Sequence, residues 1–238
     1  MVRLTIDGKV VEAKKGTSIL HAAESVGIKI PTLCYIEDLL PDGSCRMCMV
    51  EIENRGRTKM ETACTAQVAE GLVVTTNSEK VRNARRNILD MLLSNHKTDC
   101  FSCPSNGDCK LQELCFEYGI ERTTYSGEQT ELPIDDSNKF FTYNPNLCIL
   151  CHRCVNTCHK IVGRGAIDTM ERGFDSAIGT PFHIDWADTN CESCGNCVQA
   201  CPTGALTMKR RKNYRKYQID KKVLTTCPHC ATGCQYYL

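Results

Sequence analysis

A chain of 238 residues that is 42% hydrophobic and 6% aromatic has room for one or two domains, each poor in the apolar area that stabilises a core. A formal net charge of +1 gives no chain-wide electrostatic case for nucleic acid or an anionic membrane as partner. Nineteen cysteines place about 8% of the chain in one residue type, so disulfides or metal ligation must organise much of it.

Residues 3–7 and 9–13, RLTID and KVVEA, read as two strands around the turn signal Asp7-Gly8. Thr17-Ser18 then caps an amphipathic helix, ILHAAESVG, that Gly27 ends. Strands MVEIE at 49–53 and LVVTT at 72–76 complete a small α+β unit. Ser78 caps a second helix, EKVRNARRNILDMLL, whose apolar positions Val81, Ala84, Ile88 and Leu92 predict its packed face. From His96 to Cys115 the chain reads as a cysteine-rich loop, and SGEQTELPIDDSNK at 126–139 reads as a connector. Two similar cysteine runs between Phe140 and Met208 predict an internal duplication. KRRKNYRKYQIDKK follows, with eight basic residues and one acidic one, and reads as a solvated linker or electrostatic docking strip. The implied division is 1–77, 78–125, the connector 126–139, 140–209, and a basic tail with a three-cysteine motif at 210–238.

The opening MVRLTIDGKV lacks the apolar core of a secretory signal, and no apolar run approaches membrane-spanning length. A reducing, cytoplasmic setting without a membrane span is the expectation. Seven C-x-x-C spacings, gathered in groups of three or four cysteines, converge thiolates on single points instead of bridging distant segments. Metal ligation therefore outweighs disulfides.

CILCHRCVNTC at 148–158 and CESCGNCVQACP at 191–202 are each C-x2-C-x2-C-x3-C runs. In two-cluster ferredoxins the fourth cysteine of such a run ligates the other cluster. That assigns Cys148, Cys151, Cys154 and Cys201 to one 4Fe-4S cluster and Cys191, Cys194, Cys197 and Cys158 to a second. His159 stands where a proline is expected after Cys158, and a long insert separates the runs. Zinc would also accept four thiolates, but its sites normally come as two C-x-x-C pairs.

Upstream, Cys34, Cys45, Cys48 and Cys64 have one tight pair and suit a 2Fe-2S rhomb, although their spacing departs from the plant type. Gly43 beside the pair either brings backbone close to the sulfides or serves a simple turn. In HKTDCFSCPSNGDC, His96 precedes Cys100, Cys103 and Cys109, and Cys115 competes with it as the fourth ligand of a third 4Fe-4S cluster. Cys227, Cys230 and Cys234 form a last set without a fourth cysteine. A partner residue or small ligand could complete a further 4Fe-4S cluster there, or His229 a zinc site.

The order of these sets resembles the N-terminal region shared by iron-only hydrogenases, the large iron-sulfur subunit of complex I and NAD(P)-linked formate dehydrogenases. PDGSCRMCMVE, the segment from His96 to Cys109 followed by LQEL, and the two ferredoxin runs carry the likeness over residues 1 to 209. The resemblance implies a β-grasp 2Fe-2S domain, a cluster segment with one histidine and three cysteine ligands, and a two-cluster ferredoxin domain. VLTTCPHCATGCQYYL is similar to the start of the molybdopterin-binding part of formate dehydrogenases. With no pterin-binding segment after it, no catalytic site is expected in this chain.

The function expected is electron transfer between a flavin/NAD(P)H-binding subunit and a catalytic subunit of formate dehydrogenase or hydrogenase type. A ferredoxin would be a further partner if the complex bifurcates electrons. Two alternatives stand beside it: the N-terminal part of a molybdopterin formate dehydrogenase, and a zinc-rich module that binds nucleic acid through the basic tail.

Overall fold

The computed structural model describes residues 1–210, 219–230 and 232–238. Strands β1 (Val2–Ile6) and β2 (Lys9–Ala13) pair antiparallel about Asp7 and Gly8, both at positive φ, which matches the twist of a two-residue hairpin. Helix α1 (Ile19–Glu24) starts at Ser18, whose side chain accepts the His21 N–H. Two of its first N–H groups donate outward, Ile19 to the Ala66 carbonyl and Leu20 to that of Ala63, so the loop around Cys64 is fastened to the helix N-terminus. Gly27 lies in the left-handed region; its N–H donates to Glu24 O and the Ile28 N–H to Ala23 O, which closes the helix as a Schellman motif.

Strands β3 (Met49–Asn54), β4 (Arg57–Thr62) and β5 (Val73–Thr75) complete a sheet of order β2-β1-β5-β3-β4, with β1 and β5 parallel. Sequence reading missed β4. It is an edge strand whose residues RTKMET show no apolar alternation, joined to β3 by Arg55-Gly56 in left-handed backbone. Inward residues Leu4, Ile6, Val11, Val50, Ile52 and Val74 pack under Ile19, Ala22 and Ala23 of α1. Asp7 closes the sheet end by accepting the Thr76 N–H at 2.7 Å and its hydroxyl. Asp7→Ala is expected to cost about 1–2 kcal/mol in chemical denaturation, since it leaves a half-buried donor unpaired.

Helix α2 (Glu79–Ser94) is capped by Ser78 as expected, and its packed face is broader than the predicted one. Ile88 and Leu92 pack half-buried against the core, but the fully buried line runs through Val81, Arg85, Leu89 and Leu93. The stripe is rotated because Arg85 goes inside, donating to Tyr118 Oη at 3.0 Å and the Met49 carbonyl at 2.7 Å. The predicted loop from 96 to 115 is also shorter, since helix α3 (Lys110–Glu117) begins within it. Cys109 is the α3 N-cap, its sulfur accepting the Gln112 N–H, a role that cap preferences do not lead one to expect of cysteine.

The segment 126–139 is irregular but fastened: Gln129 donates to the Ser94 carbonyl, and Asp135 pairs with Tyr143 through two main-chain bonds. Strand β6 (Phe141–Tyr143) pairs with the later β9 (Leu206–Met208), enclosing α4 (Arg153–Asn156), the hairpin of β7 (Asp168–Met170) and β8 (Ala177–Gly179), and α5 (Asn196–Ala200). Trp186 fills their core edge-on to Phe141 and Tyr143, with ring centroids 5.3 and 5.2 Å away. A last hairpin joins β10 (Leu224–Thr226) to β11 (Gln235–Tyr237). Most of the basic strip, residues 211–218, lies outside the described residues. Among the described residues, no helix is long and apolar enough to cross a membrane.

Candidate metal centres

None of the 19 cysteines forms a disulfide. The four N-terminal ones are buried as two pairs. Cys34 and Cys45 share a hydrogen bond that pushes Cys34 down to about 5 and Cys45 up, and Cys48 with Cys64, 3.3 Å apart, repeats this with Cys48 lowered to about 7 and Cys64 raised. A rhomb of two irons takes two thiolates at each end, so the pairing fits that group. The Met47 N–H points at Cys45 Sγ, 3.4 Å away, with Arg46 in left-handed backbone. Gly43 needs its positive φ, and a Cβ there would come within 3.1 Å of Thr65 Cγ2, so the turn reading of this glycine is sufficient.

The two ferredoxin-like runs fold alike. Leu150 and Ser193 occupy the same place in each run, both at positive φ, and both donate their N–H at 3.4 Å to the sulfur two residues earlier, Cys148 and Cys191. His152 and Gly195 match in the same way, left-handed residues that open α4 and α5. Such N–H···S contacts stabilise charge on the sulfur. After burial, the charges that raise Cys154 most are those of Cys148, Cys151 and Cys201. For Cys197, raised to about 12 by burial, they are Cys191, Cys194 and Cys158. The fourth cysteine of each run thus lies by the other run's three. Cys158 Sγ accepts the Ala166 N–H, and His159 lies beneath Gly165 with Nε2 2.9 Å from the Ile167 carbonyl.

His96 is 8% exposed, and its Nδ1 has no hydrogen-bond partner. Burial pushes the imidazole down to about 4, so at neutral pH it is an uncharged ring with a free lone pair. Its rival Cys115 lies inside α3, pushed up to about 12 by burial and then by Cys109 and Cys100. Burial raises Cys151 and Cys197 as far, so that shift does not separate the rivals; what favours His96 is its orphaned neutral nitrogen, which fits a metal ligand. The His96–Cys109 loop is seated on residues 202–204, next to Cys201. Lys110 N donates to the Pro202 carbonyl at 2.8 Å, Ser105 Oγ donates to Thr203 O, and Cys103 Sγ lies 2.7 Å from where a Cβ on Gly204 would be.

Cys227, Cys230 and Cys234 sit at the β10–β11 turn, where the Cys227 N–H donates to the Cys234 carbonyl at 2.8 Å. Among the described residues, no three His, Cys, Asp or Glu side chains close to the distances of a single ion. Thiolates around a multi-atom cluster core stand further apart than those around one ion.

A second core joins the sites: Leu33, Met47, Leu89, Leu93, Leu111, Leu114 and Ile149 pack with Cys34, Cys45, Cys115 and Cys151. The residues that sequence reasoning missed are the N–H donors and the contacts at 202–204. The equal register of the two runs was the available signal for Leu150 and Ser193.

A β-grasp-like sheet with buried thiol pairs, followed by two matched ferredoxin-like loops, defines a multi-cluster iron-sulfur electron-transfer protein. The chain matches the 2Fe-2S iron-sulfur cluster binding domain over residues 1–79 and the NADH-ubiquinone oxidoreductase-G iron-sulfur binding region over 85–124. It also matches the ferredoxin-like domain of NADH-quinone oxidoreductase subunit 3 over 140–207, and a 4Fe-4S dicluster domain over 190–237. It is 43% identical over 235 residues to the NADPH-Fe(3+) oxidoreductase subunit alpha of Geobacter sulfurreducens, covering 99% of this chain and 27% of that protein. With the NADP-reducing hydrogenase subunit HndD of Solidesulfovibrio fructosivorans it shares 40% identity, over 87% of this chain and 36% of that one. Its fold matches a chain of an NAD+-reducing [NiFe]-hydrogenase crystallised in the H2-reduced state, with TM-score 0.80, 30% identity and 88% of each chain covered. The chain belongs to the family of iron-sulfur subunits found in NADH-quinone oxidoreductases and NAD(P)-linked hydrogenases. It spans about a quarter to a third of the length of these curated relatives.

Proposed function

We propose that the chain carries one 2Fe-2S cluster on Cys34, Cys45, Cys48 and Cys64, and a 4Fe-4S cluster on His96, Cys100, Cys103 and Cys109. Two further 4Fe-4S clusters are held by Cys148, Cys151, Cys154 with Cys201, and by Cys191, Cys194, Cys197 with Cys158. Bound clusters supply one-electron transfer without bond making. The protein's part is to hold the thiolates, aim N–H groups at their sulfurs and keep water out of the shared core. In this reading the chain connects a flavin/NAD(P)H subunit to a second redox subunit of hydrogenase or formate dehydrogenase type, in a reducing compartment such as the cytoplasm. The observation that carries it is the contact of the His96–Cys109 loop with residues 202–204, which abuts two thiol sets.

The match of a dicluster domain to 190–237 favours a metal site at Cys227, Cys230 and Cys234 as well, completed by a partner residue, a small ligand, or His229 with zinc. The chain covers 27% of one such relative, which leaves room for a second reading, a region of a longer catalytic subunit; the likeness of VLTTCPHCATGCQYYL to formate dehydrogenases suggests the type. Anaerobic purification tests both. The expected result is about 14 irons per chain with 2Fe-2S and 4Fe-4S paramagnetic signals together, rising to about 18 if the tail site holds a cube without partners. Absence of a 2Fe-2S signal would reject the N-terminal assignment. Turnover of formate or hydrogen by the single chain would reject the carrier role in favour of catalysis.

A further inference from the structure

Arg153 stands between Cys151 and Cys154 at the start of α4, and its half-buried guanidinium reaches into two other thiol loops. Its Nε donates to the Ala200 carbonyl at 2.6 Å, one residue before Cys201. Its Nη1 donates to the Tyr35 carbonyl, one residue after Cys34. Both acceptors are neutral, so these bonds fix the side chain without cancelling its charge, which stands two residues after Cys151 and one before Cys154. The same face of the following turn holds the same loop again: Asn156 donates to Asp42, and Lys160 lies 3.6 Å from it.

We propose that Arg153 is a positioning residue that locks the Cys34–Cys45 loop against the Cys148–Cys201 site and makes that site easier to reduce. One electron leaves the N-terminal site and one arrives at its neighbour, or the reverse, with no bond made or broken. A rigid guanidinium fork suits this double task, because it fixes two backbones with separate donors and keeps its charge at every physiological pH. A fixed positive charge stabilises the more negative, reduced state of a nearby centre, and a locked loop holds the distance the electron must cross.

This inference rests on the cluster-carrier reading, and the test keeps the two apart. Arg153→Gln, Arg153→Lys and Asp42→Ala would be prepared anaerobically and followed by redox-titrated paramagnetic resonance and by amide exchange over residues 35–42. Arg153→Gln should lower the potential of one 4Fe-4S centre, leave the other signals in place, and speed exchange of the loop about tenfold through loss of a charged hydrogen bond. Arg153→Lys should keep the potential but still speed exchange, since lysine has no fork. Asp42→Ala should speed exchange alone. A wild-type potential in Arg153→Gln with exchange like that of Asp42→Ala would reduce Arg153 to a plain clamp and overturn the electrostatic half. Unchanged exchange in Arg153→Lys would overturn the locking half, and this arm stands even if the glutamine variant fails to load. Absence of iron-sulfur signals in the unmodified protein would sink the carrier reading itself.

Discussion

Replacing His96 with alanine is expected to remove about four irons per chain and one 4Fe-4S signal, leaving the other signals intact. The side chain is buried and neutral, and its Nδ1 has no other partner, which suits a metal ligand. His96→Cys should keep the cluster yet lower its potential, because a thiolate adds one negative charge that opposes the incoming electron. Iron analysis and a redox titration read both outcomes. If neither variant changes iron or potential, His96 is not a ligand and Cys115 takes its place.

Gly204→Ala is the second large effect. The new Cβ would lie 2.7 Å from Cys103 Sγ, 3.3 Å from Leu147 Cδ1 and 3.5 Å from Ser105 Cβ, so the sulfur or the loop must move. Overpacking of this kind costs about 1–3 kcal/mol. Here the cost falls on the seat between two thiol sets. The expected result is a shifted or lost signal from the His96 set, while the 2Fe-2S signal persists. A spectrum and iron content equal to the parent protein would show that Cys103 has room to retreat and is not held by a cluster.

Spacing made the grouping of the thiols legible because a C-x2-C-x2-C loop is local: Cys148 to Cys154, or Cys191 to Cys197, must turn within seven residues whatever the rest of the fold does. The β1–β2 hairpin, the Ser18 and Ser78 caps and the Gly27 terminator were readable for the same reason. Strand β4 was not, since its edge position removes the apolar alternation that marks a strand. The centre of the α2 face lies one residue beyond the predicted stripe, because a buried Arg85 looks polar in sequence and its partners, Tyr118 and Met49, lie 33 and 36 positions away. Neighbourhood was the other illegible part. That Gly204 touches Cys103, or that Arg153 reaches Tyr35, is decided by packing across more than a hundred residues, and no local pattern encodes it.

The N-terminal thiols are divided between two cores. Cys48 and Cys64 belong to the sheet and α1, whereas Cys34 and Cys45 pack with Leu89, Leu111, Leu114 and Ile149 from later segments. Within the first 77 residues the Cys48–Cys64 end of the proposed 2Fe-2S site is enclosed by the sheet and α1, while the other end meets only Leu33 and Met47. The other end gains its wall when α2, α3 and the loop at Ile149 arrive. The sheet and the burial of the first thiol set thus draw on different lengths of chain, the sheet on residues up to Thr75 and the Cys34–Cys45 end on residues as far on as Ile149.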